Sequence, residues 1–265
     1  MTNLQVIILA VVQGLTEFLP ISSSGHLVLV PYFFDWQDQG LAFDVAVHFG
    51  SLLAVILFFR KDIAGLIRGG FQVLGGNVST IESRLALGIA LGTIPAALAG
   101  LLLVDWIEAN LRSPTVIVAT LSGYAVLMIL ADRFGKRERD ISDMRISDAF
   151  LIGVAQALAL VPGTSRSGVT ITAGRFLGFE RQDAARFSFL LAVPVILLAT
   201  GYSLIGLLQQ ETPVPWGQLG IGVVVSAIVA YLSIEFFMRF VSRIGLLPFA
   251  IYRLALAGII VYVLV

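Results

Sequence analysis

Two short polar stretches interrupt an otherwise apolar chain, and both carry residue types able to handle phosphate. The first, QGLTEFLPISSSGH, runs from Gln13 to His26 and holds Glu17, one proline, three serines and one of the two histidines. The second, PGTSRSGVT, runs from Pro162 to Thr170 around Arg166. An ionisable carboxylate at membrane depth is expensive and marks function by default. Gln13 and Glu17 stand four apart, so on a helix they share one face. They read either as a packing pair or as oxygen ligands for a hard cation, Mg2+ or Ca2+, although two oxygens alone make an incomplete site. Ser22, Ser23 and Ser24 follow the break at Pro20. They either cap the next half-helix or join its N-terminus in binding phosphate. His26 lies just beyond, sharing a polar turn with serines and a carboxylate, which favours catalysis over plain packing. A serine activated by a neighbouring base is the ordinary logic of covalent catalysis.

Arg166 requires an anion. That anion is either Glu17 or a phosphate, whose oxygens match the guanidinium fork. Ser165, Ser167 and Thr170 add hydroxyl donors to a bound substrate, and Gly163 and Gly168 let backbone approach it closely. A carboxylate, a serine, a histidine, an arginine and helix N-termini together suit a phosphate or diphosphate whose remaining bulk is lipid.

The elements that must position these groups are membrane helices. The chain has 265 residues, 58% hydrophobic and 13% charged, with mean hydropathy +0.95; a soluble domain carries about 25% charged residues. Spans of about 20 residues are expected near 41–60, 82–104, 114–132, 185–208, 217–238 and 245–265. The stretches 3–34 and 146–177 are too long for one span and are broken at their middles by Pro with Gly or Ser. They read as re-entrant helical hairpins, since broken backbone in lipid survives only where protein or water meets its polar groups.

Basic residues cluster at Arg60, Lys61, Arg68 and Arg84; at Arg133, Lys136, Arg137, Arg139 and Arg145; at Arg175, Arg181 and Arg186; and at Arg239 and Arg243. The positive-inside rule puts these four loops in the cytoplasm. The opposite connections, around Asp35 and Asp38, Asp105 to Arg112, and Gln209 to Trp216, contain only Arg112. Both termini and the site then lie outside. At an offset of 143, Gln13, Ser22, Ser24 and Gly25 match Gln156, Ser165, Ser167 and Gly168; LLAV at 52–55 recurs at 190–193 and LAG at 98–100 recurs at 256–258. The expected fold is therefore an all-α polytopic membrane protein, one domain over 1–265. It is built of two inverted-topology repeats, about 1–134 and 145–265, each a re-entrant hairpin plus three transmembrane helices. Such repeats place a binding site near the midplane, where they meet.

Zero cysteines exclude disulfides, thiolate metal sites and cysteine nucleophiles. The N-terminus lacks a basic n-region and reads as part of the mature protein. A formal net charge of zero points to no nucleic-acid partner, and a homodimer is left open. Asp44 and His48 read as a structural hydrogen bond, Glu235 and Arg239 as a surface pair, and Arg253 as a contact to phosphate or a helix C-terminus. The Phe and Trp residues read as mostly facing lipid or the interface.

Gln13-x-x-x-Glu17 with PISSSGH, and Pro162 to Thr170, resemble the two signature motifs of the bacterial undecaprenyl-diphosphatase family, known for bacitracin resistance. The likeness extends to FSFLLAVP at 187–194 and PFAIYR at 248–253. It implies a multi-pass enzyme of the bacterial plasma (inner) membrane that hydrolyses undecaprenyl diphosphate to the monophosphate on the outer face, recycling the cell-wall carrier lipid. It also implies a polyprenyl diphosphate substrate and a divalent cation. By motif position, the family's acidic residue falls on Glu17, its serine on Ser23, its histidine on His26 and its arginine on Arg166; Gln13 is the permitted variant of a second acidic residue. In the mechanism these roles imply, Ser23 or His26 attacks phosphorus and Glu17 positions a cation or orients His26. A flippase or transporter would share the inverted repeats and a phosphate site, yet needs no Ser–His–Glu cluster.

Overall fold

The computed structural model describes residues 1–208 and 215–264. The first hairpin is helix α1, Asn3–Thr16, and helix α2, Ser23–Phe33. Then come α3, Leu41–Phe58; α4, Arg60–Leu74; α5, Ile81–Asn110; and α6, Pro114–Phe134. The second hairpin is α7, Ile146–Ala157, continued by a 3-10 turn over Leu158–Leu160, and α8, Arg166–Phe176. Helices α9, Arg181–Leu208, α10, Trp216–Ile244, and α11, Leu247–Leu264, complete the described chain. Local chemistry sets these ends. Thr2 and Gln5 exchange side-chain and backbone bonds in a capping box before α1. Thr80 caps α5, and Ser113 caps α6 with Pro114 in its first turn.

Five helices, α3, α5, α6, α9 and α10, are long and apolar enough to cross a membrane. The protein is a multi-pass, all-α membrane protein. The sixth expected span, 245–265, is the apolar helix α11, whose 18 residues equal those of α3 in number and rise about 27 Å. The expected connection at 209–214 lies outside the described residues. The first basic cluster, expected as a loop, is largely the helix α4. Its apolar Ile63 and Leu66 pack on the core while Arg60, Lys61 and Arg68 stay outward, so an amphipathic period lay inside a charged stretch.

Small residues make the helix seams. A side chain on Gly50 of α3 would strike the Ser226 hydroxyl and the Val223 carbonyl of α10, and one on Gly153 of α7 would strike the backbone of Gly92 in α5. Close backbone approach of this kind is what holds membrane helices together when lipid is as apolar as their side chains.

The expectation that aromatic residues mostly face lipid is corrected at the centre. Phe18, Phe187, Phe189 and Phe237 are fully buried, and Phe189 packs edge-on against Phe18 at 5.1 Å and tilted against Phe237 at 5.7 Å. A large, rigid ring fills space between broken helices that smaller side chains would leave empty.

One end of the bundle is laced by ions. Arg181 holds Asp132 through Nε and Nη2 at 2.6 and 2.8 Å, Arg186 pairs with Asp62, Arg139 with Asp148, and Arg68 with Glu82 at 2.7 Å. Arg175, expected in a solvated loop, is fully buried there; it donates to the carbonyls of Gly135, Lys136 and Phe179 and closes the end of α8. Arg239 and Glu235 form the exposed pair expected of them, at 3.5 Å.

Candidate active site

The two helix breaks meet at Glu17. Pro20 and Pro162 stop α1 and the α7 turn, because proline offers no N–H and pushes its predecessor out of the helix. Both chains restart through a serine in the left-handed region, Ser22 at φ 74° and Ser165 at φ 70°. Non-glycine residues rarely adopt such angles, and backbone strain of this sort clusters at functional sites.

Glu17 caps the end of α1 and is 7% exposed. Its Oε1 accepts from Arg166 Nη2 at 2.9 Å; its Oε2 accepts from Ser23 Oγ at 2.8 Å and from Gln13 Nε2 at 3.0 Å. Thus Gln13 and Glu17 share a face, and the anion facing Arg166 is Glu17. The guanidinium also reaches the Ser188 carbonyl at 3.4 Å and lies 5.7 Å from the Phe18 ring centre. The aromatic core is thereby the floor of the site.

His26 stands apart from this carboxylate. Its Nδ1 is 2.7 Å from the Ser22 carbonyl and its Nε2 2.6 Å from the Tyr252 hydroxyl, with the two rings stacked at 5.6 Å. A carbonyl only accepts, so Nδ1 carries hydrogen and Nε2 takes the tyrosine's. The expected orientation of His26 by Glu17 is replaced by one from Ser22 and Tyr252. Glu17 has a different histidine beside it: His48 Nε2 is 3.6 Å from Oε2. The expected Asp44–His48 bond does form, but His48 Nδ1 uses the Asp44 backbone carbonyl at 2.7 Å, while the Asp44 carboxylate takes Gln39.

The remaining hydroxyls are partly committed within the protein. Ser165 Oγ accepts from Gly168 N at 3.2 Å, capping α8, and Ser22 makes no such cap. Ser167 Oγ donates to the Leu19 carbonyl at 3.0 Å, tying the second break to the first. Thr170 Oγ1 donates to the Arg166 carbonyl at 2.8 Å and lies 2.6 Å from Ser188 Oγ.

Arg253, fully buried, donates to the carbonyls of Gly163 at 2.9 Å, Leu121 at 3.2 Å, Thr120 at 3.3 Å and Pro20 at 3.5 Å. It meets carbonyls freed at both breaks. Among the described residues no group of three His, Cys, Asp or Glu gathers as metal ligands. One buried oxygen in the cluster is unmet, however: Gln13 Oε1 has no hydrogen-bond partner.

Sequence reasoning missed His48 as a neighbour of Glu17 and met Tyr252 only within PFAIYR, with no role assigned. Each reaches the site from a distant helix, so spacing around the first motif could not pair them with it. Comparison with known proteins covers nearly the whole chain. The family model described as bacitracin resistance protein BacA matches residues 6–259. Undecaprenyl-diphosphatase 2 of Stutzerimonas stutzeri is 52% identical over 98% of this chain and 97% of its own. Undecaprenyl-diphosphatase of Hahella chejuensis is 51% identical over 100% of both chains, and that of Saccharophagus degradans 53% identical over 97% of both.

Proposed function

The chain belongs to the bacitracin resistance protein BacA family, and we infer that it hydrolyses undecaprenyl diphosphate to undecaprenyl phosphate and inorganic phosphate. The activity recycles the carrier lipid of cell-wall synthesis and underlies bacitracin resistance. The observation that carries the mechanism is Ser23 Oγ bonded to Glu17 Oε2 at 2.8 Å, with Arg166 on the other carboxylate oxygen at 2.9 Å.

In the proposed reaction the diphosphate displaces Arg166 from Glu17, so that the fork grips phosphate oxygens while the N-termini of α2 and α8 add backbone N–H groups. Ser22 and Ser165 flank those N-termini. Ser23 Oγ attacks the terminal phosphorus and passes its proton to Glu17. The bond from that phosphorus to the bridging oxygen breaks, and the lipid monophosphate leaves. Water, giving its proton to His26 Nε2 once Tyr252 releases it, then attacks the phosphoserine phosphorus; the bond to Ser23 Oγ breaks, and Glu17 returns its proton to that oxygen. Ser23 is favoured over His26 as nucleophile because a carboxylate base already touches it, whereas both ring nitrogens of His26 are engaged. Ser167 and Thr170 act by fixing the loop around Arg166. Catalysis of phosphoryl transfer is chiefly positioning and charge stabilisation.

A divalent cation fits the site. Glu17 and Gln13 would hold it, the unmet Gln13 Oε1 being a ready ligand, and it would supply charge neutralisation to the diphosphate.

We also read the architecture as two inverted repeats with re-entrant hairpins, the active site and both termini facing outward from the inner membrane. Several contacts support this reading. Gln218 at the start of α10 bonds the Met1 carbonyl, and α3, entered from α2, packs on the same helix. Arg139 bonds both Asp148 at the start of α7 and the Leu177 carbonyl after α8. Each hairpin packs on the other half, α1 on α10 and α7 on α5. Among the described residues the amphipathic α4 has no counterpart in the second half.

Phosphate release from a polyprenyl diphosphate in detergent tests the function, with Ser23→Ala, His26→Ala and Arg166→Ala beside the wild type, each with and without chelator. Wild-type release and its loss in folded variants is the expected result. Wild type that binds lipid but releases nothing under any metal condition overturns it.

A further inference from the structure

Away from the broken hairpins, at the ion-laced end of the bundle, α6, α9, α10 and α11 end or begin around one cavity of about 390 Å3. Its polar wall is Asp132, Arg133, Arg137 and Arg181; its apolar wall is Ile129, Ile244 and Leu247. Three arginines thus face one carboxylate, and that carboxylate is already engaged. Arg181 takes both oxygens of Asp132, at 2.6 and 2.8 Å, and the Leu246 N–H shares Oδ2 at 3.1 Å. Arg181 is occupied in turn, since its Nη1 donates to the Ser242 carbonyl at 3.1 Å. The other two arginines are not. Among the described residues neither Arg133 nor Arg137 is in an ion pair: Arg137 donates once, to the Asp132 carbonyl at 3.3 Å, and the Arg133 guanidinium stands 5.8 Å from the Phe134 ring centre. Both residues are exposed.

The place of the cavity says what could fill it. Helices α6, α9 and α10 are long and apolar enough to cross a membrane, so a cavity at their ends lies where hydrocarbon gives way to headgroups. Leu130, Phe134, Ile244 and Leu247 are exposed around it. A water-soluble anion gains nothing from that apolar rim, and an uncharged lipid gains nothing from two uncommitted guanidinium groups. The combination suits an anionic lipid, whose phosphate oxygens match the guanidinium fork and whose chains cover the apolar side chains. Basic pockets between membrane helices are where such headgroups lodge.

We propose that this corner binds the headgroup of an anionic glycerophospholipid, with its phosphate on Arg133 and Arg137 and its chains along Ile244 and Leu247. Asp132 does not touch the lipid. It fixes Arg181 and the turn between α10 and α11, and so shapes the wall. Bound lipid adds a second tie between the end of α6 and that turn, and a ligand that binds only the folded state stabilises it. None of the residues at the two helix breaks lines this cavity, so the inference stands independently of the hydrolase reading.

The test is lipid titration of the full-length protein, stripped of lipid in detergent, with bound lipid counted by native mass spectrometry. Phosphatidylglycerol is compared with phosphatidylethanolamine of the same chains. Wild type should bind phosphatidylglycerol at least about tenfold more tightly, and its melting temperature should rise with that lipid alone. R133Q/R137Q should weaken phosphatidylglycerol binding by about thirtyfold, the worth of two arginines facing an anionic lipid. R133Q alone, an exposed change that spares the bond from Arg137, should weaken it by about fivefold and decides the matter if the double variant does not fold. R60Q/K61Q removes the same charge from α4 and should leave the binding unchanged. Four results overturn the proposal: equal binding of the two lipids by wild type, binding unchanged by R133Q, an equal loss in R60Q/K61Q, or displacement of the lipid by excess inorganic phosphate. The last would make the cavity a plain anion site.

Discussion

The two broken hairpins share a backbone and divide the chemistry. At the offset of 143, Ser22 and Ser165 adopt the same left-handed angles, and the hydroxyl pairs Ser22–Ser24 and Ser165–Ser167 stand at the same 3.4 Å. Gln13 and Gln156 are both buried at these matched positions. The chemistry lies where the match fails. Glu17 faces Leu160, Ser23 faces Arg166 and His26 faces Val169 across the same offset. Residues held in common build the turn. Residues that differ give one turn a serine bonded to a carboxylate and the other the arginine that faces that carboxylate.

The comparison breaks most sharply at Ser23. Ser23→Ala should lower kcat by about 10⁴-fold or more, the scale seen when a nucleophile is removed, with thermal stability in detergent nearly unchanged. If turnover survives, the first hairpin is not the nucleophile's side. Arg166→Lys keeps charge opposite Glu17 but loses the fork. It should cost about 10²–10³-fold in kcat, the size of one lost donor to developing charge, as single-turnover kinetics would reveal. Arg253→Met strikes both hairpins at once. Each buried carbonyl left unmet costs about 1–3 kcal/mol, so unfolding in denaturing detergent should show a loss of roughly 3 kcal/mol or more.

A smaller effect is expected at Tyr252, which braces only the first hairpin. Tyr252→Phe should slow turnover by about tenfold, one hydrogen bond's worth, and leave KM unchanged; a change in KM alone would make the tyrosine a lipid contact. Smallest of all is Gln156→Leu. Both side-chain polar atoms of Gln156 lack partners, so an apolar replacement should stabilise the fold by up to about 1 kcal/mol without touching turnover. Gln13→Leu, its counterpart, should lose activity. Equal outcomes for the two glutamines would erase the division of labour.

Much of this was legible in the sequence because membrane burial makes ionisable residues conspicuous. Glu17, Arg166, Ser23 and the two breaks stand out in an apolar chain, and the i, i+4 spacing alone put Gln13 against Glu17. What stayed illegible came from other helices. His48 reaches Glu17 from α3, and its own i−4 neighbour offered a simpler partner, one that uses a backbone carbonyl in place of the carboxylate. Arg253 read as a contact to phosphate or a helix C-terminus, because carbonyl acceptors from three segments leave no trace in residue type. The charged clusters located one end of the molecule correctly by composition. Their pairing, such as Arg181 with Asp132, and the helix α4 within them depended on contacts that linear spacing does not encode.

Arg253 has a consequence for how the molecule is made. A chain is synthesised from its N-terminus, so residues 13–26 leave the ribosome long before α11 exists. Until α11 arrives, the carbonyls of Pro20 and Gly163 that Arg253 meets have no such donor, and neither turn has its final support. Completion of the reaction centre is thus tied to insertion of the last helix. A nascent or shortened chain, though it already carries Glu17, Ser23 and Arg166, lacks the bonds by which Arg253 joins the two turns.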